Sequence, residues 1–155
     1  SRESILTMYK FNQKQYIENK KLSYKIYITR KNERARRISN EYTLIQMLKK
    51  YGFIVIDPGE LSYREQVSLF TYADVIVAPH GAALTNIVWC KKNVQIIELN
   101  SDIDIRWHFA KISFELQFKY KLILGRKVDD KYFHINENLV EQILINSNII
   151  KVTNE

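Results

Sequence analysis

Asp74-Val-Ile-Val-Ala-Pro-His-Gly-Ala-Ala-Leu-Thr-Asn86 is the stretch on which the fold turns. Val75 to Ala78 is a short apolar run of strand length and β-branched character. Pro79 cannot donate to a sheet ladder, so the strand is expected to stop there. Gly81 lacks a Cβ, which lets a ligand or a sharp turn approach the backbone. Ala82 to Trp89 then reads as a short helix. Strand, glycine turn and helix, in that order, put unpaired backbone N–H groups at a helix start, where anions bind. His80 sits at the lip of the turn. Many buried strand–helix corners look like this, so its meaning depends on what the neighbouring strand ends carry.

Just upstream, Phe53 to Ile56 is a strand closed by Asp57-Pro-Gly59. Ser62, with Glu65 at capping-box spacing, opens a helix through Tyr72. Tyr24 to Thr29 is an earlier strand and Arg30 to Asn40 an arginine-rich loop. Asn40 or Ser39 caps an amphipathic helix that carries Leu44, Ile45 and Leu48 and ends at Gly52. Downstream, Val94 to Leu99 is a strand. Ile105 to Phe118 follows as a helix with Trp107, Phe109 and Phe114 available for burial. Tyr120 to Leu124 is a strand ended by Gly125, and Asn138 to Ile145 is the last helix. Ser1 to Lys21 reads as a helical N-terminal segment. Strands alternating with helices point to an α/β fold, a Rossmann-like, mainly parallel sheet with helices on both faces.

The 155 residues suit a single domain, 1–155, with 126–155 as a C-terminal helix and tail. No apolar run reaches the roughly 20 residues of a membrane span. Ser1 to Ile5 has no apolar signal core. The single cysteine, Cys90, excludes an internal disulfide and a cysteine-rich zinc site, and reads as an inert buried thiol. The three histidines show no metal-ligand spacing. Asp102-Ile-Asp104 spells the D-x-D of metal-dependent sugar transferases, but its place just before a helix favours capping. A net charge of +7 favours acidic partners: nucleotide phosphates, nucleic acid or an anionic surface.

In open parallel sheets, ligands bind beyond the carboxyl ends of the strands. There the chain places Arg30, Arg34, Arg36 and Arg37 after the first strand, His80 and Gly81 after the third, and Glu98 at the end of the fourth. Guanidinium forks pair with phosphate oxygens, and a strand-end carboxylate can take the hydroxyls of a ribose. The combination suits a nucleotide diphosphate. Arg30 and Arg36 are expected in the site, with Arg34 and Arg37 toward water. Thr85 and Asn86 either bond to their own helix or, for Asn86, steady the turn, and Gln66 ties the preceding helix to it. His108 is expected beside Trp107, His134 on the surface, and Tyr63, Phe70 and Tyr72 in the core. No G-x-G-x-x-G follows the first strand, which argues against a dinucleotide enzyme. A basic nucleic-acid module, with Arg30, Lys31, Arg34, Arg36 and Arg37 as its footprint, is the alternative. Scattered lysines and the lack of a nucleic-acid motif weigh against it.

Taken together, Arg30, Arg36-x-Ile38-x-Asn40-Glu41, Gln66, Pro79-His-Gly-Ala-Ala-Leu-Thr-Asn86 and Ile97-Glu98 resemble glycosyltransferase family 61. That family takes in the EGF-domain O-GlcNAc transferase, plant xylan-decorating transferases and capsular-polysaccharide proteins. The resemblance runs from about Tyr24 to Leu124, and the family more often has glycine where Ala83 stands. It implies the C-terminal, donor-binding half of a two-lobed GT-B glycosyltransferase, with inversion and with neither metal nor other cofactor. The implied substrates are a nucleotide-sugar, UDP-linked, and a hydroxyl of a glycan or protein. Carried onto these positions, Arg30, Arg36, Gly81, Ala82, Thr85, Asn86 and Glu98 hold the donor. His80 stabilises the leaving diphosphate, and Asn40 and Gln66 support the site. The N-terminal lobe, with the base and acceptor contacts, would come from a partner chain or a longer polypeptide. An inactive nucleotide-binding scaffold is a further alternative, and the compartment stays open.

Overall fold

The computed structural model describes residues 24–151, so the expected helix over Ser1 to Lys21 lies outside them. The apolar runs form β1 (Tyr24–Ile28), β3 (Phe53–Ile56), β4 (Ala73–Pro79), β5 (Gln95–Ser101) and β6 (Lys119–Lys127). Two short strands, β2 (Arg37–Ile38) and β7 (Tyr132–His134), complete a seven-stranded sheet of order β2-β7-β6-β5-β4-β1-β3. The helices are α1 (Glu41–Lys50), α2 (Tyr63–Tyr72), α3 (His108–Glu115) and α4 (Glu137–Asn146), with 3₁₀ segments at Pro58–Glu60 and Ala82–Trp89.

The fold is mixed α/β. β1, β3, β4, β5 and β6 pair in parallel, as does β2 with β7, but β6 and β7 are antiparallel. The sequence gives no sign of that joint. β6 runs on through Gly125 instead of ending there, and a turn then returns the chain as β7. Asp129 Oδ1 organises this turn by accepting from the backbone N–H groups of Lys131 (2.7 Å) and Tyr132 (2.8 Å).

Alternation along the buried strands sends their side chains to two cores. Tyr27, Val75, Val77, Ile97 and Leu99 pack beneath α1 and α4, against Leu44, Leu48, Val140 and Leu144. Ile26, Ile28, Ile76, Ala78 and Ile96 pack beneath α2, the 82–89 segment and α3, against Phe70, Leu84, Ile87 and Phe109. By the same alternation His80, two positions past Ala78, and Glu98, two past Ile96, belong to the second layer. From β1 the chain passes through β2, at the other end of the strand order, and α1 before it adds β3 on one side of β1, and β4 lies on the other side. The β1/β4 gap is therefore the switch point at which open α/β sheets form a crevice.

Element ends hold several corrections. The capping box of Ser62 and Glu65 opens α2 as expected. Asn40 stands at the N-cap position of α1, but its side chain makes no capping bond. Instead its Nδ2 donates to Ile135 O (2.7 Å) and its Oδ1 accepts from Ile135 N (3.1 Å), like one rung of a ladder. α3 begins only at His108, so Trp107 and Phe114 stay 55% and 82% exposed where burial was expected. Neither aspartate of the D-x-D caps it: Asp102 Oδ1 accepts from Lys127 N (3.1 Å) and Asp104 Oδ1 from Arg106 Nε (3.0 Å). Ala82–Trp89 is 3₁₀, not α. Phe70 is buried, but Tyr63 lies outside the core.

Candidate functional site

At the carboxyl end of β1 a single carboxylate fixes how the chain departs. Glu41 Oε1, in the first turn of α1, accepts from Tyr27 Oη and Thr29 Oγ1 (both 2.8 Å) and from Arg30 N (3.4 Å). Burial, and then the neighbouring Glu41, push the Tyr27 phenol well above its ordinary range. With its backbone fixed, Arg30 lays its guanidinium across Gly81. A Cβ built on Gly81 would collide with Arg30 Nη1. Gly81 has φ 173°, extended backbone that any residue adopts, so its glycine serves space and not conformation.

Arg30 is short of counter-charge. Its side chain is only 11% exposed, and its nearest carboxylate, Glu33, stands 3.6 Å away and mostly in water. Nη2 reaches Ala35 O at 3.4 Å, while Nε is buried without a partner. Burial lowers its pKa, Glu33 opposes that shift, and nearby Arg36 adds to it. A desolvated cation in this condition favours an incoming anion. Arg36 itself is held at φ 57°, a left-handed backbone that costs a non-glycine residue on the order of 1–2 kcal/mol.

Both arginines border one cleft of about 450 Å³ at the switch point. Pro58, Gly59 and Gln66 form a second side, and Ala82, Ala83 and Asn86 a third. Gln66 pins these sides together. Its Nε2 donates to Pro58 O (3.0 Å) and Leu61 O (3.2 Å), and its Oε1 accepts from Asn86 Nδ2 (2.8 Å). Arg30, Arg36, Ala82, Asn86 and Gln66 are thus brought together, with Gly81 buried beneath Arg30. Thr85 is exposed outside the cleft lining.

His80 and Glu98 lie behind this surface. Glu98 is fully buried and His80 is 4% exposed, with Nδ1 bonded to the Glu98 carboxylate. The other Glu98 oxygen accepts from Tyr120 Oη at 2.7 Å. Burial, then Glu98, push the Tyr120 phenol upward. The imidazole rests between Phe109 and His108, ring centres 5.1 and 6.1 Å away. Both oxygens of Glu98 are therefore committed inside the protein, in place of the ribose contact expected from sequence. His80 is a buried partner of that carboxylate and not a group on the lip.

The chain matches the sequence profile of glycosyltransferase 61 over residues 2–97. It belongs to glycosyltransferase family 61. The matched residues of this family 61 chain include both arginines, Asn40, Gln66 and the Pro79 to Asn86 stretch, and they stop one residue before Glu98. Among curated proteins none matches the chain.

Around the family 61 cleft, Arg34 is exposed, and Arg37 stacks on Tyr132 at 5.0 Å instead of reaching into water. His108 and His134 are exposed. Among the described residues no group of three or more His, Cys, Asp or Glu could hold a metal ion, and no helix is long and apolar enough to cross a membrane. Glu41, Tyr120 and Asp104 were not singled out for the site by sequence. The bond of Asp104 to Arg106 holds its carboxyl below the usual range. Tyr120 pairs with Ile96 in register, which sets it on the face that Glu98 shares.

Proposed function

We propose that this family 61 domain binds a nucleotide-sugar, UDP-linked, across the carboxyl ends of β1, β3 and β4. In this reading it is the donor lobe of a two-lobed, inverting GT-B glycosyltransferase. The observation that carries the proposal is Arg30, under-neutralised and laid over Gly81, sharing one cleft with Arg36. Two guanidinium groups around one concave space suit a diphosphate, with backbone N–H groups after Gly81 close by.

In this reading the reaction is the inverting transfer that the family resemblance implies. An acceptor hydroxyl, on a glycan or protein, attacks the anomeric carbon from the face opposite the diphosphate. The new C–O bond forms as the bond to the terminal phosphate breaks, and its electron pair leaves with the nucleotide. The hydroxyl proton passes to a base outside this lobe. Arg30 and Arg36 offset the charge that grows on the departing diphosphate. Glu98 and Tyr120 fix the Nδ1 side of His80, which acts from behind the cleft by field and packing and not as a direct ligand. Neither a metal nor an organic cofactor has a part in this scheme.

Isothermal titration with UDP tests the reading. Saturable heat is expected from the wild type, and Arg30→Ala or Arg36→Ala should each weaken binding by about tenfold or more. Millimolar UDP giving no heat with the wild type would sink the proposal.

A further inference from the structure

Beside the cleft lies a smaller pocket of about 150 Å³, between the 101–104 loop that leaves β5 and the β6–β7 hairpin. We propose that this pocket is a second anion site, built for a single phosphate group, free or as a monoester, and distinct from the diphosphate of a donor. The site goes beyond the nucleotide-sugar reading and does not depend on it.

Strand pairing brings two cations together. Arg37 pairs with Tyr132 in the β2–β7 ladder, and Arg37 N donates to Lys131 O at 2.8 Å. Arg36 and Lys131 are therefore the neighbouring positions at one end of that ladder, and both line the pocket. Like charges set side by side on paired strands repel. Neither side chain has a hydrogen bond or an ion pair among the described residues. Arg36 also holds its left-handed backbone, φ 57°, a strain of the kind found at ligand clamps. An anion between the two cations would turn their repulsion into shared attraction.

The carboxylates around the pocket are already answered. Asp104 Oδ1 accepts from Arg106 Nε (3.0 Å), Asp130 pairs with Lys127 (2.8 Å), and Asp129 Oδ1 accepts from the N–H groups of Lys131 and Tyr132. With Arg106 counted beside the lining residues, cations are in excess, and Arg36 and Lys131 are the ones left over. Ser101, 8% exposed, lines the same pocket, and its Oγ is buried with no partner among the described residues. A buried hydroxyl left unpaired is costly, and an incoming oxyanion can accept from it. Guanidinium, ammonium and hydroxyl are three separate donors. A phosphate monoester presents three terminal oxygens to them and a carboxylate only two, which commits the site to phosphate.

NMR titration of the 155-residue chain with inorganic phosphate, glycerol phosphate and acetate tests this. The backbone amides of Ser101 and Tyr132 report on the pocket, and those of Gly81 and Ala82 on the cleft. The pocket amides should saturate with phosphate at about tenfold lower concentration than with acetate. Lys131→Ala should weaken phosphate at the pocket about tenfold and leave UDP affinity and the cleft amides as they are. Arg30→Ala should leave phosphate at the pocket unchanged. Glycerol phosphate binding at least as tightly as inorganic phosphate identifies a monoester as the occupant, and inorganic phosphate binding alone identifies the free ion. Shifts confined to Gly81 and Ala82, acetate binding as tightly as phosphate, or a pocket affinity that survives Lys131→Ala overturns the proposal. Failure of UDP to bind bears on the cleft and leaves this site standing.

Discussion

Gly81 and Gly125 lack room for a side chain for different reasons. Neither has a left-handed backbone; among the described glycines only Gly52, at φ 79°, does. At Gly125, inside β6, a Cβ would strike the carbonyl oxygen of His134 and approach Ile135 Cδ1 and Phe133 Cδ2 at 2.8 Å. At Gly81 it would strike only the guanidinium of Arg30. A carbonyl in a sheet ladder cannot retreat, whereas the tip of an arginine can. One missing methyl lets two strands close, and the other lets a cation lie against a turn. The first is a condition of folding and the second a condition of where charge sits.

Substitution can break that comparison, and the largest effect is expected at Gly125. Gly125→Ala overpacks a strand against backbone and should cost about 1–3 kcal/mol in urea unfolding. Unchanged stability would mean that the β6–β7 joint is looser than its contacts indicate. Gly81→Ala should behave differently. Arg30 can swing aside, so stability should stay within about 0.5 kcal/mol of wild type. UDP affinity should nevertheless fall about tenfold, equivalent to about 1.4 kcal/mol, because the cation has moved. The sharper form is a double-mutant cycle. If Gly81 matters only by seating Arg30, then Gly81→Ala with Arg30→Ala should bind UDP no worse than Arg30→Ala alone. Additive losses would give Gly81 a contact of its own with the ligand. A stability loss as large as that of Gly125→Ala would erase the distinction.

The two regions also differ in how far the sequence could be read. Around Gly81 it could be read well. A β-branched run stopped by proline, a glycine, and a Ser62/Glu65 box before the preceding helix are local signals, each set by a residue and its near neighbours. Around Gly125 it could not. β2 and β7 have two and three residues, too few for a period to register, and they exist because each finds a partner. Asn40 shows the same limit, since its amide suits a helix cap and a backbone partner equally, and only Ile135, 95 residues on, decides between them. Arg30 and Arg36 were legible as cations after a strand, but it was not legible that the Arg30 guanidinium packs against Gly81 with Nε left unpartnered. Glu98 was expected at a strand end, but β5 runs on to Ser101 and sets it in the middle of the strand. Its partners, His80 and Tyr120, are 18 and 22 residues away, and they turn a carboxylate suited to a ribose into a buried one. Trp107 and Phe114 failed for a simpler reason: Trp107 precedes the helix, and Phe114 lies off the face on which Phe109 and Ile112 meet the core.

The smallest effect concerns the caps on the two sides. Ser62 opens α2, which carries Gln66 to the cleft, while Asn136 opens α4, accepting from Leu139 N at 3.2 Å on the hairpin side. Ser62→Ala and Asn136→Ala should each cost about 1 kcal/mol, but only the first should also weaken UDP binding, through Gln66 and Asn86. The α2 cap has a pH dependence as well. Glu65 is held below its ordinary pKa chiefly by the N–H of Ser62, and then by the Ser62 hydroxyl. A carboxyl depressed in the folded state adds stability that is fully present above its unfolded pKa and is lost as pH falls through the folded value. Wild type should therefore exceed Glu65→Gln in stability at neutral pH, and the difference should vanish in acid. Protection of the first-turn amides of α2, measured as exchange relative to the intrinsic rate at each pH, should fall over the same range in the wild type and not in the variant. If the two proteins keep a constant gap across that range, the carboxylate is not what closes this end of the helix, and the cleft does not depend on it.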